Sequence, residues 1–332
     1  MRFALLGAGR IGRLHARLLA GLDGVDEILV ADALPERARD VAGASGGRPV
    51  DSLDEAIDSA DAVVIAAATN AHAGLIRSAL RRGVPTFCEK PLANDLAATL
   101  EIAAEIERSG LPFQLGFQRR FDAGYREARR MVESGELGTL YAVRLAGHDP
   151  APPHEDYIPT SGGLFRDLSI HDFDILRFMT GTEVEEVYAA GAVLNFEVFA
   201  RYDDVDTAVA TLRLANGSLA VLTAARHDPL GYDVRAELFG SRDSVAVGLG
   251  PRMPLRSVEP EVPRSDGPTW SNFLVRFEDA YRLELRAFID VAEGRIPSPC
   301  TAQDGVQAMR IAEAATLALR DHRVVGLAEV PA

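Results

Sequence analysis

The stretch that most limits the fold lies at the start of the chain. Residues 2–7 form a short apolar run that passes into Gly7-Ala8-Gly9-Arg10-Ile11-Gly12 and then into a helical pattern through Leu19. Strand, glycine-rich turn and helix, in that order, form the opening of a βαβ unit able to hold a dinucleotide. Gly7 permits a tight turn, Gly9 lets a pyrophosphate approach the backbone, and Gly12 lets helix and strand pack closely. The phosphates are expected on the helix N-terminus beside Arg10 and Ile11, where open N–H groups and the helix dipole favour an anion. A second strand, Glu27–Ala31, ends at Asp32, 20 residues beyond Gly12. Asp32 has two readings. It accepts hydrogen bonds from both ribose hydroxyls and repels a 2′-phosphate, selecting NAD over NADP, or it caps the helix that opens at Leu34-Pro35-Glu36.

The alternation continues. Residues 61–67 read as a buried strand, followed by Thr69-Asn70 and a helix over residues 71–82. Asn70 is expected at the cofactor; His72 either faces it too or merely begins the helix. A strand ending in Cys88-Glu89-Lys90-Pro91, a helix over residues 94–109 and a strand over residues 111–117 complete the rhythm. Strands separated by helices predict an α/β Rossmann domain, a doubly wound parallel sheet, over residues 1–118.

Lys90 is the only lysine; the other 34 of the 35 basic Lys and Arg residues are arginine. A surface charge can be either residue, but only the ammonium titrates readily enough to share in proton transfer. Lys90 is expected just past a strand's carboxyl end, the edge where open parallel sheets bind ligands.

The totals exclude several classes. A net charge of −14 lacks the basic footprint that nucleic acid or an anionic membrane requires. No signal-peptide pattern and no apolar run of spanning length are present, and Cys88 and Cys300 read as two thiols in a reducing cytosol, so a cytoplasmic enzyme is expected.

After Gln118 the rhythm changes. Arg119-Arg120-Phe121-Asp122 leads into a helix to Ser134; its basic pair is either a solvated face or, at Arg120, a substrate contact. A strand over residues 140–147 and a proline-rich loop, residues 150–157, follow. Between residues 184 and 247 period-2 runs alternate with turns, including Asn216-Gly217, a hairpin signal. Residues 119–332 therefore read as an α+β domain with a large, mostly antiparallel open sheet. The sheet's broad face needs cover, which predicts a homo-oligomer. Helices over residues 270–293 and 302–320 close the chain, with the single tryptophan, Trp270, read as packing.

The densest polar motif is Gly162-Gly163-Leu164-Phe165-Arg166-Asp167-Leu168-Ser169-Ile170-His171-Asp172-Phe173-Asp174. Asp167 and His171 are four apart and share a helix face. A carboxylate beside an imidazole raises its basicity and fixes its orientation; a capping Asp with a core histidine is the plainer alternative. Oxidising a secondary alcohol needs a hydride acceptor, a base for the hydroxyl proton and a donor to the oxygen. His171, Lys90 and Asp167 fill the last two roles and orient the base, and no metal-ligand spacing is present.

Over essentially its whole length the chain resembles the glucose-fructose oxidoreductase/inositol dehydrogenase (Gfo/Idh/MocA) family. The resemblance rests on Gly7 to Gly12, Glu89-Lys90-Pro91, Gly116-Phe117 with Arg119-Arg120-Phe121-Asp122, and Asp167 with His171. Residues 115–125, 161–174, 231–233 and 277–281 most resemble bacterial myo-inositol 2-dehydrogenases. The resemblance implies NAD and a small polyol or sugar substrate met by Lys90, Asp167 and His171, with Tyr232 nearby; Glu89 and Lys90 are also expected at the cofactor, and Arg120 and Asp149 at the substrate. It also implies a homotetramer built through the C-terminal sheet. Some inositol dehydrogenases resemble His-x-Asn where this chain has Gly147-His148-Asp149, a change that alters which hydroxyls are read. The expected reaction is NAD-dependent oxidation of myo-inositol to 2-keto-myo-inositol (scyllo-inosose). The alternatives are a dehydrogenase of another inositol isomer or a pyranose, and a non-catalytic nucleotide-sensing regulator.

Overall fold

A computed structural model of the chain describes residues 1–262 and 267–332. The chain divides into two compact units, one of residues 1–121 and 278–307, the other of residues 122–277 and 308–332. The first break falls close to the expected residue 118. The stretch 278–307, read from the sequence as part of the second domain, groups with the first unit.

In the first unit β1 (Arg2–Leu6), α1 (Arg10–Leu19), β2 (Glu27–Ala31), α2 (Pro35–Ser45), β3 (Arg48–Pro49) and α3 (Leu53–Asp58) are followed by β4 (Ala62–Ile65), α4 (Thr69–Arg81), β5 (Thr86–Glu89), α5 (Leu96–Ser109) and β6 (Phe113–Gly116). The sheet is parallel throughout, in the order β3-β2-β1-β4-β5-β6. The order reverses between β1 and β4, and the crevice at the carboxyl ends there is where such folds bind ligands. β4 and β5 are buried at every position, as expected of strands covered on both faces. Helices begin and end where local chemistry dictates. Asp95 accepts a hydrogen bond from Ala98 N at the start of α5, and Gly110 ends it in the left-handed conformation.

The second unit runs through α6 (Ala123–Glu133), β7 (Leu140–His148), α7 (Ile158–Ser161), α8 (Ile170–Thr180), β8 (Val184–Ala192), β9 (Thr207–Leu214), β10 (Leu219–Ala225), β11 (Asp233–Gly240), β12 (Ser244–Val247) and α9 (Phe273–Arg276). Its sheet has the order β12-β11-β7-β10-β9-β8-β13, where β13 is Val325–Gly326. Every pairing is antiparallel except β7 with β10. Asn216-Gly217 turns the β9–β10 hairpin, with Gly217 at φ +85°. Along β9 the burial alternates, with Ala208, Ala210, Leu212 and Leu214 inside. The opposite face leaves Tyr188, Val209 and Leu219 exposed, and Tyr188 and Leu219 line a groove of about 450 Å³. Among the described residues no helix is long and apolar enough to cross a membrane.

The expected helix over residues 270–293 is two helices. Asn272 caps α9, which stops at Phe277, and α10 (Glu278–Ala292) begins afresh in the other unit. Within the first unit, Phe288 of α10 meets Phe3 and Phe87 at ring-centroid distances of 6.2 and 5.7 Å, fixing the helix to the parallel sheet. The closing helix α11 spans Ala302–Asp321. Trp270 packs, as expected: the Arg252 guanidinium lies 3.8 Å from its ring centroid.

Candidate active site

The glycine-rich turn has the geometry its sequence predicts. Gly7 adopts φ +105°, and a Cβ there would stand 2.5 Å from Ala67 N, so turn and β4 lie nearly in contact. A Cβ on Gly12 would stand 2.0 Å from Gly7 O, which makes Gly12 the residue that lets α1 sit against the end of β1. Gly9 differs: a Cβ would meet nothing within 4 Å. The bare backbone of Gly9 therefore leaves room for a pyrophosphate at the α1 N-terminus, and the turn fits a dinucleotide. Arg10 and Ile11 open α1, Arg10 exposed and Ile11 half-buried.

Asp32 stands just past β2. Its Oδ2 accepts from Ala8 N at 2.6 Å and its Oδ1 from Leu34 N at 2.9 Å. The carboxylate thus braces the glycine-rich turn itself; α2 receives no side-chain cap. A carboxylate has about four acceptor positions, so two backbone bonds leave capacity for a ribose diol. Asn70 lies exposed in the first turn of α4.

Lys90 is half-buried directly after β5, and the Lys90–Pro91 bond is cis. Its neighbours fix this corner. His72 is buried, with Nδ1 2.7 Å from Pro91 O and Nε2 3.1 Å from Ala67 O, tying the end of β4 to the Lys90 turn. Burial lowers the His72 pKa more than the Pro91 and Ala67 carbonyls raise it. Glu89 turns inward, its Oε1 2.6 Å from His15 Nε2 on α1. Arg120, expected at the substrate, places its guanidinium 2.9 Å from Asp304 Oδ1 and donates to Pro299 O at 3.2 Å. Burial opposes ionisation of Asp304, but Arg120 holds its carboxyl below the ordinary range. Cys88 and Cys300 are both buried, and burial raises the Cys88 thiol well above its usual range.

In the second unit Asp167 lies in a π-helical turn, Phe165–Ser169, that runs into α8; His171 is in the first turn of that helix, half-buried. Such turns in otherwise α-helical segments are common at functional sites. Asp167 is held from two sides. Tyr157 Oη donates to Oδ1 at 2.9 Å, and Arg226 Nη1 donates to Oδ2 at 2.7 Å. Arg226 is buried. Burial disfavours its charge, but Asp167, with Asp149 and Asp204 behind it, outweighs that and raises its pKa. Asp149, just past β7, has Oδ2 3.9 Å from Arg226 Nη1. Tyr232 is buried immediately before β11, its N bonded to Trp270 O at 2.7 Å and its ring edge-on to Phe277.

Two residues here escape a sequence reading. Tyr157 ends the proline-rich loop, and Arg226 follows an alternating apolar strand. A charged residue closing such a strand is the only signal Arg226 leaves. His148, Asp228 and Asp233 also lie close enough to share an ion, all ligand atoms within 4.8 Å of one another. The Arg235 guanidinium, however, already takes both oxygens of Asp233, at 2.7 and 3.0 Å.

The chain matches the model of an oxidoreductase family with an NAD-binding Rossmann fold over residues 1–117, and the GFO/IDH/MocA C-terminal domain over residues 125–246. It is 40% identical over 320 residues to a myo-inositol dehydrogenase of Streptomyces leeuwenhoekii, covering 95% of this chain and 96% of that protein. It is 36% identical over 334 residues to an inositol 2-dehydrogenase of Rhizobium meliloti, covering 99% of each. The crystal structure of a scyllo-inositol dehydrogenase from Lactobacillus casei with bound NAD(H) and scyllo-inositol matches with a TM-score of 0.89 at 30% identity, over 99% of both chains. Fold, glycine-rich turn and these full-length likenesses agree: the chain belongs to the GFO/IDH/MocA family of NAD-binding oxidoreductases.

Proposed function

We propose that this protein oxidises myo-inositol at its axial hydroxyl, giving 2-keto-myo-inositol, with NAD as oxidant. The observation that carries the chemistry is the position of Lys90. The only lysine of the chain stands at the carboxyl end of β5, two strands from β1, where the glycine-rich turn begins. The inositol assignment draws on the relatives, dehydrogenases of myo- and scyllo-inositol aligned over nearly their full lengths.

Bound NAD supplies nicotinamide C4 as hydride acceptor. The chain's own residues do the rest. The glycine-rich turn and the α1 N-terminus hold the pyrophosphate, and Asp32 reads the ribose diol. His171 takes the hydroxyl proton as the C–H hydrogen leaves with its electron pair. Asp167 orients the imidazole and stabilises the imidazolium that forms. Lys90 donates a hydrogen bond to the oxygen as it becomes a carbonyl, a donor effect of the kind that dominates such catalysis. Asp149 and Tyr232 contact the remaining hydroxyls; a hydroxyl in the wrong configuration leaves a buried partner unpaired, which is how isomers are told apart. The protein works in the cytoplasm as a homotetramer, with the open face of the second unit's sheet as an interface.

A second reading, preference for scyllo-inositol or another isomer, draws on Asp149 in place of the asparagine of some inositol dehydrogenases and on a scyllo-inositol 2-dehydrogenase among the relatives, 33% identical over 337 residues. Steady-state rates on separate inositol isomers decide between the two. A kcat/KM highest for myo-inositol supports the first, and one highest for scyllo-inositol the second.

A further inference from the structure

Arg226 is 1% exposed, and only part of its hydrogen-bonding capacity is used. Nη1 donates to Asp167; Nε and Nη2 are buried with no hydrogen-bond partner. Three carboxylates act on the guanidinium: Asp167, Asp149 and Asp204. Asp204 in turn accepts from Leu164 N at 3.0 Å, at the entry to the π-helical turn, and leaves its own Oδ2 buried without a partner. A cluster with unsatisfied donors and acceptors is poor material for stability. Apolar residues of similar volume commonly match or exceed a buried ion pair, and every unpaired buried donor has a cost. What the cluster does achieve is orientation. With Tyr157 on Oδ1 and Arg226 on Oδ2, the Asp167 carboxylate cannot rotate without losing a partner.

We propose that Arg226 is a positioning residue of the dehydrogenase reaction, holding the Asp167 carboxylate in one orientation and, through it, setting how readily His171 accepts a proton. This rests on the function proposed above. The titratable groups that meet Asp167 or Arg226 include Tyr157 from the loop before α7, Asp149 past β7 and Asp204 before β9, and His171 lies four residues beyond Asp167 on α8. The Phe199 ring, 6.0 Å from the guanidinium, is uncharged. Removing the guanidinium from this cluster favours a proton on every other member. The acidic limb of the kcat/KM profile therefore moves to higher pH.

The test is a double-mutant cycle of Arg226→Gln and Asp167→Asn, with Arg226→Lys alongside. NAD affinity, kcat and KM for myo-inositol, and pH profiles are measured for each. Arg226→Gln is expected to keep NAD affinity, lose about 100-fold in kcat and shift the acidic limb upward. Arg226→Lys restores the limb and only part of kcat, because an ammonium keeps the charge without the planar fork. If Arg226 acts through Asp167, the double variant is no slower than Asp167→Asn alone. Effects that multiply overturn the proposal, as do an unchanged kcat and limb in Arg226→Gln. Should Arg226→Gln fail to fold, the double variant, which leaves no unpaired Asp167 charge, still decides the matter when compared with Asp167→Asn: equal rates support the role, and a slower double variant overturns it. A wild-type enzyme inactive on every polyol removes the proposed function and this role with it; an active one with multiplicative effects removes only the role of Arg226.

Discussion

Gly9 and Gly12 sit three residues apart in one turn, yet the structure assigns them opposite responses to a single methyl group. In Gly12→Ala the new Cβ would lie 2.0 Å from Gly7 O and 2.9 Å from Gly7 C, backbone atoms that cannot swing aside. Helix α1 must lift from β1, and overpacking of this kind costs about 1–3 kcal/mol. At roughly 2–4 °C per kcal/mol for a domain of this size, Tm falls by several degrees. In Gly9→Ala the methyl meets nothing within 4 Å, and φ of −74° is ordinary for alanine. The free protein loses only a modest N-cap preference, at most about 1 kcal/mol. The clash appears in the complex, where the methyl stands in the approach of the pyrophosphate. The same cost, about 1–3 kcal/mol, then weakens NAD binding roughly 5- to 150-fold. Calorimetric titration with NAD and thermal denaturation without it separate the two. A Gly9→Ala variant that binds NAD like the wild type, or that loses as much Tm as Gly12→Ala, means that the two glycines do not divide cofactor approach and helix packing between them.

Other perturbations follow from the same geometry. Lys90→Ala and Lys90→Arg are expected to abolish turnover while NAD titration stays near normal; full activity in Lys90→Arg removes the special role of the sole lysine. His171→Ala should lower kcat by at least about 100-fold, the scale of a general base, and retained activity points to Lys90 alone. Asp32→Ala raises KM for NAD and relaxes discrimination against NADP, and it also lowers Tm, because Ala8 N and Leu34 N lose their acceptor. Unchanged cofactor preference in steady-state kinetics means that Asp32 only braces the turn. Burial lowers the pKa of His72 in the fold below the ordinary 6.5. The unfolded chain therefore binds the proton first, so stability is lost as pH falls below about 6.5 toward the folded pKa. His72→Gln should flatten that acid-side decline in denaturant titrations taken at successive pH values; an unaltered slope means another group causes it.

The parts of this protein that are legible in its sequence are those whose cause is local. Gly7, Gly9 and Gly12 act through their own backbone, and Asp32 follows a strand of readable length. The β9–β10 hairpin announces itself in Asn216-Gly217. Lys90 stands out by count and falls at a strand end. What stays hidden depends on distant partners. An amphipathic helix at residues 278–292 must bury a face, but nothing local says that Phe288 meets Phe3 and Phe87 of the first unit. Nothing local says that Arg120 meets Asp304, 2.9 Å away. Glu89 reads as part of a cofactor motif, and no local pattern names the partner of its carboxylate, His15, 74 residues earlier. Arg226 and Tyr157 reach Asp167 from 59 residues after it and 10 before.

In the proposed function a cofactor turn built on Gly9 and a proton-transfer set of Lys90, Asp167 and His171 act together on an inositol hydroxyl. The direct measurement is NADH formation by the purified protein with NAD and a panel of inositol isomers and aldoses. NADH formed fastest from myo-inositol, and abolished by Lys90→Ala, is the result this account predicts. A protein that binds NAD yet reduces it with no polyol or sugar in the panel contradicts the account and leaves a nucleotide-sensing regulator in its place.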